Sequence, residues 1–157
     1  MLRSVIEHDN KSAPAYMKVA AAAKTGMGVV ISSGQLAFPS AATADDIYVL
    51  NKARVPEGLL AAAEVLSDYE EQFNTFAAGD YAVAENFDFG EQFATDQYNA
   101  TNLTDANAGK VLVVGTDGKW DLATSTTTSK YIFVGLFNDG SHVLARIRVS
   151  DTPVANS

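Results

Sequence analysis

The sequence predicts a mainly β fold, a small β-barrel or β-sandwich, with a small N-terminal β lobe and at most one short helix. Short apolar runs recur at close spacing, and glycine and aspartate mark most of the breaks between them, as is typical of barrels and sandwiches. The segment 131–149, YIFVGLFNDGSHVLARIRV, has the pattern of a β-hairpin. A chain of 157 residues with 47% hydrophobic and 19% charged residues is long and apolar enough to bury a core.

We expect four segments along the chain. Residues 1–14 form a polar N-terminal arm that ends at Pro14, and residues 15–66 form the N-terminal β lobe and its connection. Residues 67–150 form the main β body, and residues 151–157 form a flexible tail.

The N-terminal lobe contains three short apolar runs, at 16–23, 27–31 and 47–50, separated by glycine, proline and polar residues. After the lobe, leucine, alanine and aromatic residues recur every three or four positions, which indicates a helical face. Weak helix formers follow residue 66. We therefore expect at most one short helix, near 59–66, followed by an extended segment.

In the main body, short runs of strand-forming residues alternate with turn residues. Asp117-Gly118 and Asp139-Gly140 support the positive backbone angles of two tight hairpin turns. The predicted strands are 81–84, 87–89, 92–94, 110–114, 120–122, 131–137 and 143–149.

The two strands of the closing hairpin differ in their faces. The outgoing strand, 131–137, is apolar on both faces, which indicates either a central position in the core or a partner subunit that covers one face. The returning strand alternates, so its two faces differ in polarity. One face carries Val143, Ala145, Ile147 and Val149, and the other carries Leu144, Arg146 and Arg148.

Charge is unevenly distributed. Residues 1–56 carry six basic and four acidic side chains, 57–109 carry eleven acidic and none basic, and 110–157 carry five basic and four acidic, for a net charge of −8. The acidic middle argues against a nucleic-acid-binding surface. We interpret it as a solvated acidic face. The alternative is that it faces outward while the more basic N-terminal lobe meets an acidic partner.

The residue types that catalysis or metal binding requires are absent or poorly spaced. The chain has no cysteine, which excludes disulfides, thiol catalysis and cysteine metal sites. His8 lies in the polar arm and His142 beside a tight turn, so we interpret Asp139, Ser141 and His142 as a solvated turn and not as a triad. Residues 26–28 begin a GxG pattern that lacks the third glycine of a dinucleotide-binding loop.

Paired carboxylates are the remaining catalytic candidates. Glu85 with Asp88, and Glu91 with Asp96, can meet in the fold, which leaves a glycosidase or a calcium site as a minor alternative. We expect no enzymatic activity, no cofactor and no metal.

Aromatic residues crowd the acidic segment, and we expect their rings to fill the core of the β module, since rings bury the most apolar surface. The alternative is a carbohydrate-binding face. The residues concerned are Tyr69, Phe73, Phe76, Tyr81, Phe87, Phe89, Phe93 and Tyr98.

Three stretches of the main body carry a family resemblance: GDYAVAENFDFGEQFATDQY (79–98), AGKVLVVGTDGKWDLA (108–123) and YIFVGLFNDGSHVLARIRV (131–149). Together with ADDIYVLNKARVPEGL (44–59), they resemble the small capsid decoration proteins of tailed bacteriophages, also called head-fibre or cement proteins. GEQFATDQY and the closing hairpin carry most of this resemblance.

The resemblance implies a β-rich structural protein without enzymatic activity that forms homotrimers or similar oligomers at capsid symmetry axes. It implies binding to the outer surface of the major capsid protein lattice and stabilisation of the head. It also implies that the outgoing hairpin strand packs one face in the body and the other, with Tyr131, Phe133 and Phe137, against a neighbouring subunit.

No apolar run is long enough for a signal peptide or a membrane span. We therefore expect the protein to be made in the host cytoplasm. The resemblance implies that it resides on the capsid exterior of the virion. We expect neither a membrane nor a nucleic acid as a partner.

We expect the N-terminal part of the chain to face the capsid, because its basic excess complements an acidic shell. The candidate capsid-binding residues are Arg3, Lys11, Lys18, Lys24, Lys52 and Arg54. Two other functions are possible from the sequence. The first alternative is a virion-surface carbohydrate-binding module that uses exposed aromatic residues in 69–98, and the second alternative is a small hydrolase.

Overall fold

The computed structural model describes residues 1–6, 15–51 and 71–156, and in these residues the chain is mainly antiparallel β-sheet. Helical structure in the same residues is limited to a single turn, Glu71–Asn74, and a 3-10 turn, Asp105–Asn107. The strands of the described residues are β1 (Leu2–Ile6), β2 (Ala15–Lys18), β3 (Ala23–Lys24), β4 (Gly28–Ser32), β5 (Gln35–Ala37), β6 (Tyr48–Leu50), β7 (Thr75–Phe76), β8 (Tyr81–Glu85), β9 (Gln92–Thr95), β10 (Leu112–Val114), β11 (Trp120–Leu122), β12 (Thr128–Asp139) and β13 (His142–Ala155).

One sheet has four strands, in the order β1-β9-β13-β12, and its neighbouring strands are antiparallel. The hairpin β12–β13 is its longest part and reaches the pair Asp139 and His142 at the turn. Gly140 in this turn has a φ of 67°, a conformation that glycine adopts without steric cost. The predicted closing hairpin is confirmed, and so is the hairpin β10–β11 around Gly118.

A second sheet has five strands, in the order β2-β8-β6-β4-β5. An isolated bridge between Val19, which follows β2, and Leu36 in β5 links the two edges of this sheet at one point, with a 2.8 Å hydrogen bond from the Ala20 N–H to the Leu36 carbonyl, but no continuous strand pairing joins them. Two two-stranded sheets, β10–β11 and β3–β7, complete the described fold. Among the described residues no sheet closes into a barrel, so the structure agrees with the predicted β-sandwich and not with the barrel.

The first hydrophobic core has an aromatic centre. The ring of Phe93 lies 5.5 Å from that of Trp120, which lies 4.9 Å from that of Tyr131, and all three residues are fully buried. The Trp120 Nε1–H donates to the Gly26 carbonyl and the Tyr131 hydroxyl donates to the Ile47 carbonyl, each at 3.2 Å. Because both polar atoms have partners, these hydrogen bonds offset the cost of removing the two large side chains from water.

The second core lies on the inner face of the five-stranded sheet. Gly28, at the start of β4, is where the two cores meet, because a β-carbon built there would lie 2.3 Å from Val114 Cγ2 in the first core. The GxG pattern of residues 26–28 therefore serves close backbone packing. The buried residues of the second core are Val19, Ala23, Val29, Leu36, Leu50, Phe76, Ala82 and Ala84.

The two predicted chain ends differ from the structure. Leu2–Ile6 form a strand paired with β9 in place of a polar arm, and Met1 and Leu2 are buried. Residues 151–155 continue β13 in place of a flexible tail, and the Asn156 Nδ2–H donates to the Ala123 carbonyl at 2.7 Å. Five residues are too few to show a strand period, and the polar residues around them dominate the composition of both ends.

Other differences are local. Residues 87–89 do not form a strand, whereas β5 was not predicted. The predicted helix near 59–66 lies outside the described residues. The predicted boundary at residue 66 does not separate the sheets, since β8 pairs with β2 and β6, and β9 pairs with β1.

Candidate partner-binding surface

The cations predicted to bind the capsid are spread over three sheets. Arg3 lies in β1, Lys18 in β2 and Lys24 in β3. The other three predicted residues, Lys11, Lys52 and Arg54, lie outside the described residues.

Two of these cations have acidic partners within the chain. Arg3 Nε lies 2.8 Å from Asp139 Oδ2, and Lys24 Nζ lies 2.9 Å from Glu71 Oε1. The hydrogen bond from Lys24, together with its charge, holds the pKa of Glu71 below its usual value. These pairs reduce the charge that Arg3 and Lys24 can offer to another molecule.

The predicted oligomer interface is mostly interior. Tyr131 and Phe133 have no exposed surface and belong to the first core, whereas Phe137 is 36% exposed. The strand contains an irregularity between Phe133 and Gly135, which has a φ of 138°. Such a bulge shifts the alternation of faces, so the three aromatic residues do not share one side. Of the three predicted interface residues, only Phe137 is accessible to another copy.

Strand pairing places three arginines on the outer face of the four-stranded sheet. Arg3 pairs with Ala94, which in turn pairs with Arg146, so one row crosses β1, β9 and β13. Arg148 lies two positions further along β13 and pairs with Gln92. Alternate residues of a strand share a side, so the three arginines lie on the face opposite the first core. We call Arg3, Arg146 and Arg148 the arginine face.

Arg146 and Arg148 differ from Arg3 in having no acidic partner. In the part of the chain that the structure describes, neither lies within ion-pair distance of a carboxylate. Arg148 is exposed, and Arg146 is half-buried with its Nε buried and without a hydrogen-bond partner. Ile6, which is 44% exposed, and the half-buried Ile132 lie in the same row as Arg148.

The sequence predicts only part of the arginine face. The alternation of the last strand correctly places Arg146 and Arg148 away from the core. The basic excess of residues 1–56 singles out Arg3 as a binding residue, but it gives no reason to group Arg3 with Arg146 and Arg148, because the first residues have the pattern of an arm. The surface forms only when the first and last strands of the chain both pair with β9.

Three of the four carboxylates considered for catalysis, those of Glu85, Glu91 and Asp96, have structural partners. Glu85 accepts a 2.5 Å hydrogen bond from Asn51 Nδ2, and the fully buried Glu91 accepts one of 2.7 Å from the Asp88 N–H. Asp96 forms an ion pair with the N-terminal ammonium. Across the described ranges, no three His, Asp or Glu side chains are grouped as a metal ion requires.

Shallow grooves occur elsewhere on the surface. One of about 590 Å³ is lined by Asp45, Asp46 and neighbouring residues of 30–48. Another, of about 420 Å³, includes Lys119 and Asp121. The Asp121 carboxylate accepts hydrogen bonds from the amides of Asn99 and Asn102, each at 2.8 Å, so it holds a loop in place. No helix of the described residues is long and apolar enough to cross a membrane.

The prediction that the aromatic residues of the acidic segment fill the cores holds for only some of them: three are buried, Tyr98 packs against the first core, Phe73 is half-buried and Tyr69 lies outside the described residues. Two are exposed. Tyr81 is 55% and Phe89 61% exposed. Tyr16, which is 65% exposed, stacks on Tyr81 with ring centroids 5.2 Å apart, and Lys18 Nζ lies 5.4 Å from the centre of the Tyr81 ring. The buried members are Phe76, Phe87 and Phe93.

Comparisons with protein-family models, with curated proteins and with solved structures find no match. The arginine face and the exposed tyrosine pair are therefore the surface features on which a functional proposal can be built. The first is charged and lies on the four-stranded sheet, and the second is aromatic and lies on the paired strands β2 and β8.

Proposed function

We propose that this protein is a capsid decoration protein that binds the outer surface of the major capsid protein lattice and stabilises the head of a tailed bacteriophage. The observation that carries the proposal is the position of the two stretches with the strongest resemblance. GEQFATDQY contains β9, and the closing hairpin is β12–β13, so the two are neighbours in one sheet. The resembling residues thus build one continuous surface.

The physical properties of this surface support the same role. A protein that decorates a symmetric shell binds through repeated weak contacts, whose combined strength grows with the number of copies engaged. It needs a rigid, regular surface and no catalytic group, and in this proposal it acts as a homotrimer without a cofactor. A four-stranded sheet that presents arginines on an otherwise acidic chain is such a surface.

Co-sedimentation with undecorated capsids tests this function. The purified protein should pellet with the capsids in a saturable amount that is a simple multiple of the number of symmetry axes. Decorated capsids should also unfold at a higher temperature than undecorated ones, since binding stabilises the bound state. If the protein stays in the supernatant at low and at physiological salt, the proposal is wrong.

A virion-surface carbohydrate-binding module is the second candidate, and the stacked pair of Tyr16 and Tyr81 favours it. Exposed aromatic rings are the groups on which sugar rings stack, and Lys18 supplies a nearby hydrogen-bond donor. Binding to a glycan array that is lost in Tyr16→Ala, but kept in a Phe89→Ala control, would support this role. A protein that binds capsids and no glycan would exclude it.

A further inference from the structure

We propose that the arginine face is the docking surface for a carboxylate-rich patch of the partner protein, with Arg146 and Arg148 as its main contacts. The inference rests on the proposed function, and it names the residues that would contact the capsid lattice. In this proposal the capsid contacts the outer face of the four-stranded sheet, and not the cations predicted along the N-terminal lobe, of which only Arg3 belongs to this face.

The geometry of the sheet defines the spacing of the contacts. Arg146 and Arg148 are two residues apart on one strand, about 7 Å, and Arg3 and Arg146 are separated by one intervening strand, about 10 Å. This pattern matches carboxylates presented by a neighbouring strand or loop. Arg3 already holds the carboxylate of Asp139 at 2.8 Å, which shows the chemistry that the face accepts.

The unpaired guanidinium of Arg146 is the second reason to assign a partner to the arginine face. In native proteins nearly all buried polar groups have a hydrogen-bond partner, because an unpaired buried donor is unfavourable. The Arg146 Nε has none. The chain itself covers this atom, so another protein reaches only the outer nitrogens of the guanidinium, which also have no hydrogen-bond partner among the described residues. A carboxylate of a partner would bond to these outer nitrogens.

The surroundings favour a protein partner over a nucleic acid. The chain has a net charge of −8, which repels a polyanion at long range. Ile6 and Ile132 lie in the same row of the sheet as Arg148, next to the row of Arg3 and Arg146. A mixture of arginine and aliphatic residues is typical of protein interfaces. A nucleic-acid site requires a larger cluster of Lys and Arg.

The test compares the double variant R146Q/R148Q with K110Q/K119Q, which removes the same charge from two lysines outside the arginine face. Both are measured for binding to undecorated capsids and, separately, to soluble poly-L-glutamate. We expect R146Q/R148Q to bind both at least tenfold more weakly than the wild type, and K110Q/K119Q to bind within threefold of it. Raising the salt concentration should weaken wild-type binding and leave the residual binding of R146Q/R148Q nearly unchanged.

Each outcome has a distinct meaning. Equal binding of capsids by R146Q/R148Q and the wild type, or an equal loss in K110Q/K119Q, overturns the inference and leaves the decoration function intact. Arginine-dependent binding to poly-L-glutamate without binding to capsids supports the docking chemistry and refutes the decoration function. Binding to neither probe overturns both, and tighter binding to duplex DNA than to poly-L-glutamate overturns the choice of partner. If R146Q/R148Q does not fold, R148Q alone, which changes an exposed residue, should still weaken binding about threefold.

Discussion

Replacing Gly28 by alanine should destabilise the protein strongly, because this glycine lies where the two hydrophobic cores meet. The new β-carbon would lie 2.3 and 2.9 Å from the two methyl carbons of Val114, whereas carbon atoms pack at about 3.5 to 4 Å. Val114 has no exposed surface, and its backbone N–H and carbonyl are both hydrogen-bonded to the backbone of Thr43. Val114 therefore cannot move aside freely. We expect Gly28→Ala to lower the free energy of unfolding by about 3 kcal/mol, at the upper end of the usual cost of overpacking.

A double-mutant cycle with Val114→Ala isolates the steric cause. Val114→Ala alone should cost about 2 kcal/mol, because it leaves a cavity in the first core. In Gly28→Ala/Val114→Ala the new methyl group occupies part of that cavity, so the total cost should be about 3 kcal/mol, well below the sum of the single changes. Gly115→Ala is the control, since its β-carbon would meet only the flexible carboxylate of Asp117, at 3.1 Å, and a carbonyl at 3.6 Å; it should change stability by less than about 1 kcal/mol.

Urea unfolding followed by tryptophan fluorescence measures these differences. Trp120 is the only tryptophan of the chain and is fully buried in the first core, so its emission reports unfolding of that core directly. A Gly28→Ala variant within about 0.5 kcal/mol of the wild type would refute the steric reasoning, since changes of that size are typical of unconstrained surface sites. Additive costs in the double variant would refute the assignment of the clash to Val114.

Three further predictions follow from single contacts. Burial raises the pKa of Tyr131, so the unfolded state releases this proton first and stability should fall as the pH rises above the ordinary tyrosine pKa of about 10; thermal unfolding between pH 8 and pH 11 should show a smaller fall in Tyr131→Phe. In Lys24→Gln the pKa of Glu71 should return toward its usual value, because the lysine both donates to this carboxylate and attracts its charge; a carbon-detected NMR titration checks this, and an unchanged Glu71 pKa contradicts it. Phe137→Ser should reduce the mass measured by light scattering if Phe137 contacts another copy, while the unfolding temperature of the monomer stays within about 2 °C of the wild type, because the residue is already 36% exposed.

The parts of the fold that the sequence predicts are those with local signals. Asp139-Gly140 and Asp117-Gly118 lie in turns between strands that are adjacent in the chain, and both hairpins form as predicted. Turn chemistry and alternation within a few residues contain that information. The inward orientation of Ala145, Ile147 and Val149 follows from the same alternation.

The missed features depend on pairing between distant residues. β1 is too short to show a period, and its position is determined by β9, about ninety residues later in the chain. The sequence does not predict the bulge after Phe133 either, because Gly135 adopts its φ of 138° in the context of the paired strand. Counting every second residue along β12 therefore places Tyr131 and Phe137 on one face, whereas the folded strand separates them.

The distribution of charge illustrates why a linear count is a poor guide to a surface. The basic excess of residues 1–56 predicts a single basic lobe, but Arg3, Lys18 and Lys24 lie in three different sheets. Distant carboxylates then pair with Arg3 and Lys24. The arginine face takes only Arg3 from that stretch, in β1, and its other two arginines from β13, in a segment whose charges are nearly balanced. A basic surface can thus form on an acidic chain wherever a sheet brings its first and last strands to the same neighbour, and substitutions of Arg146 and Arg148 should alter binding more than substitutions of the lysines in the most basic stretch of sequence.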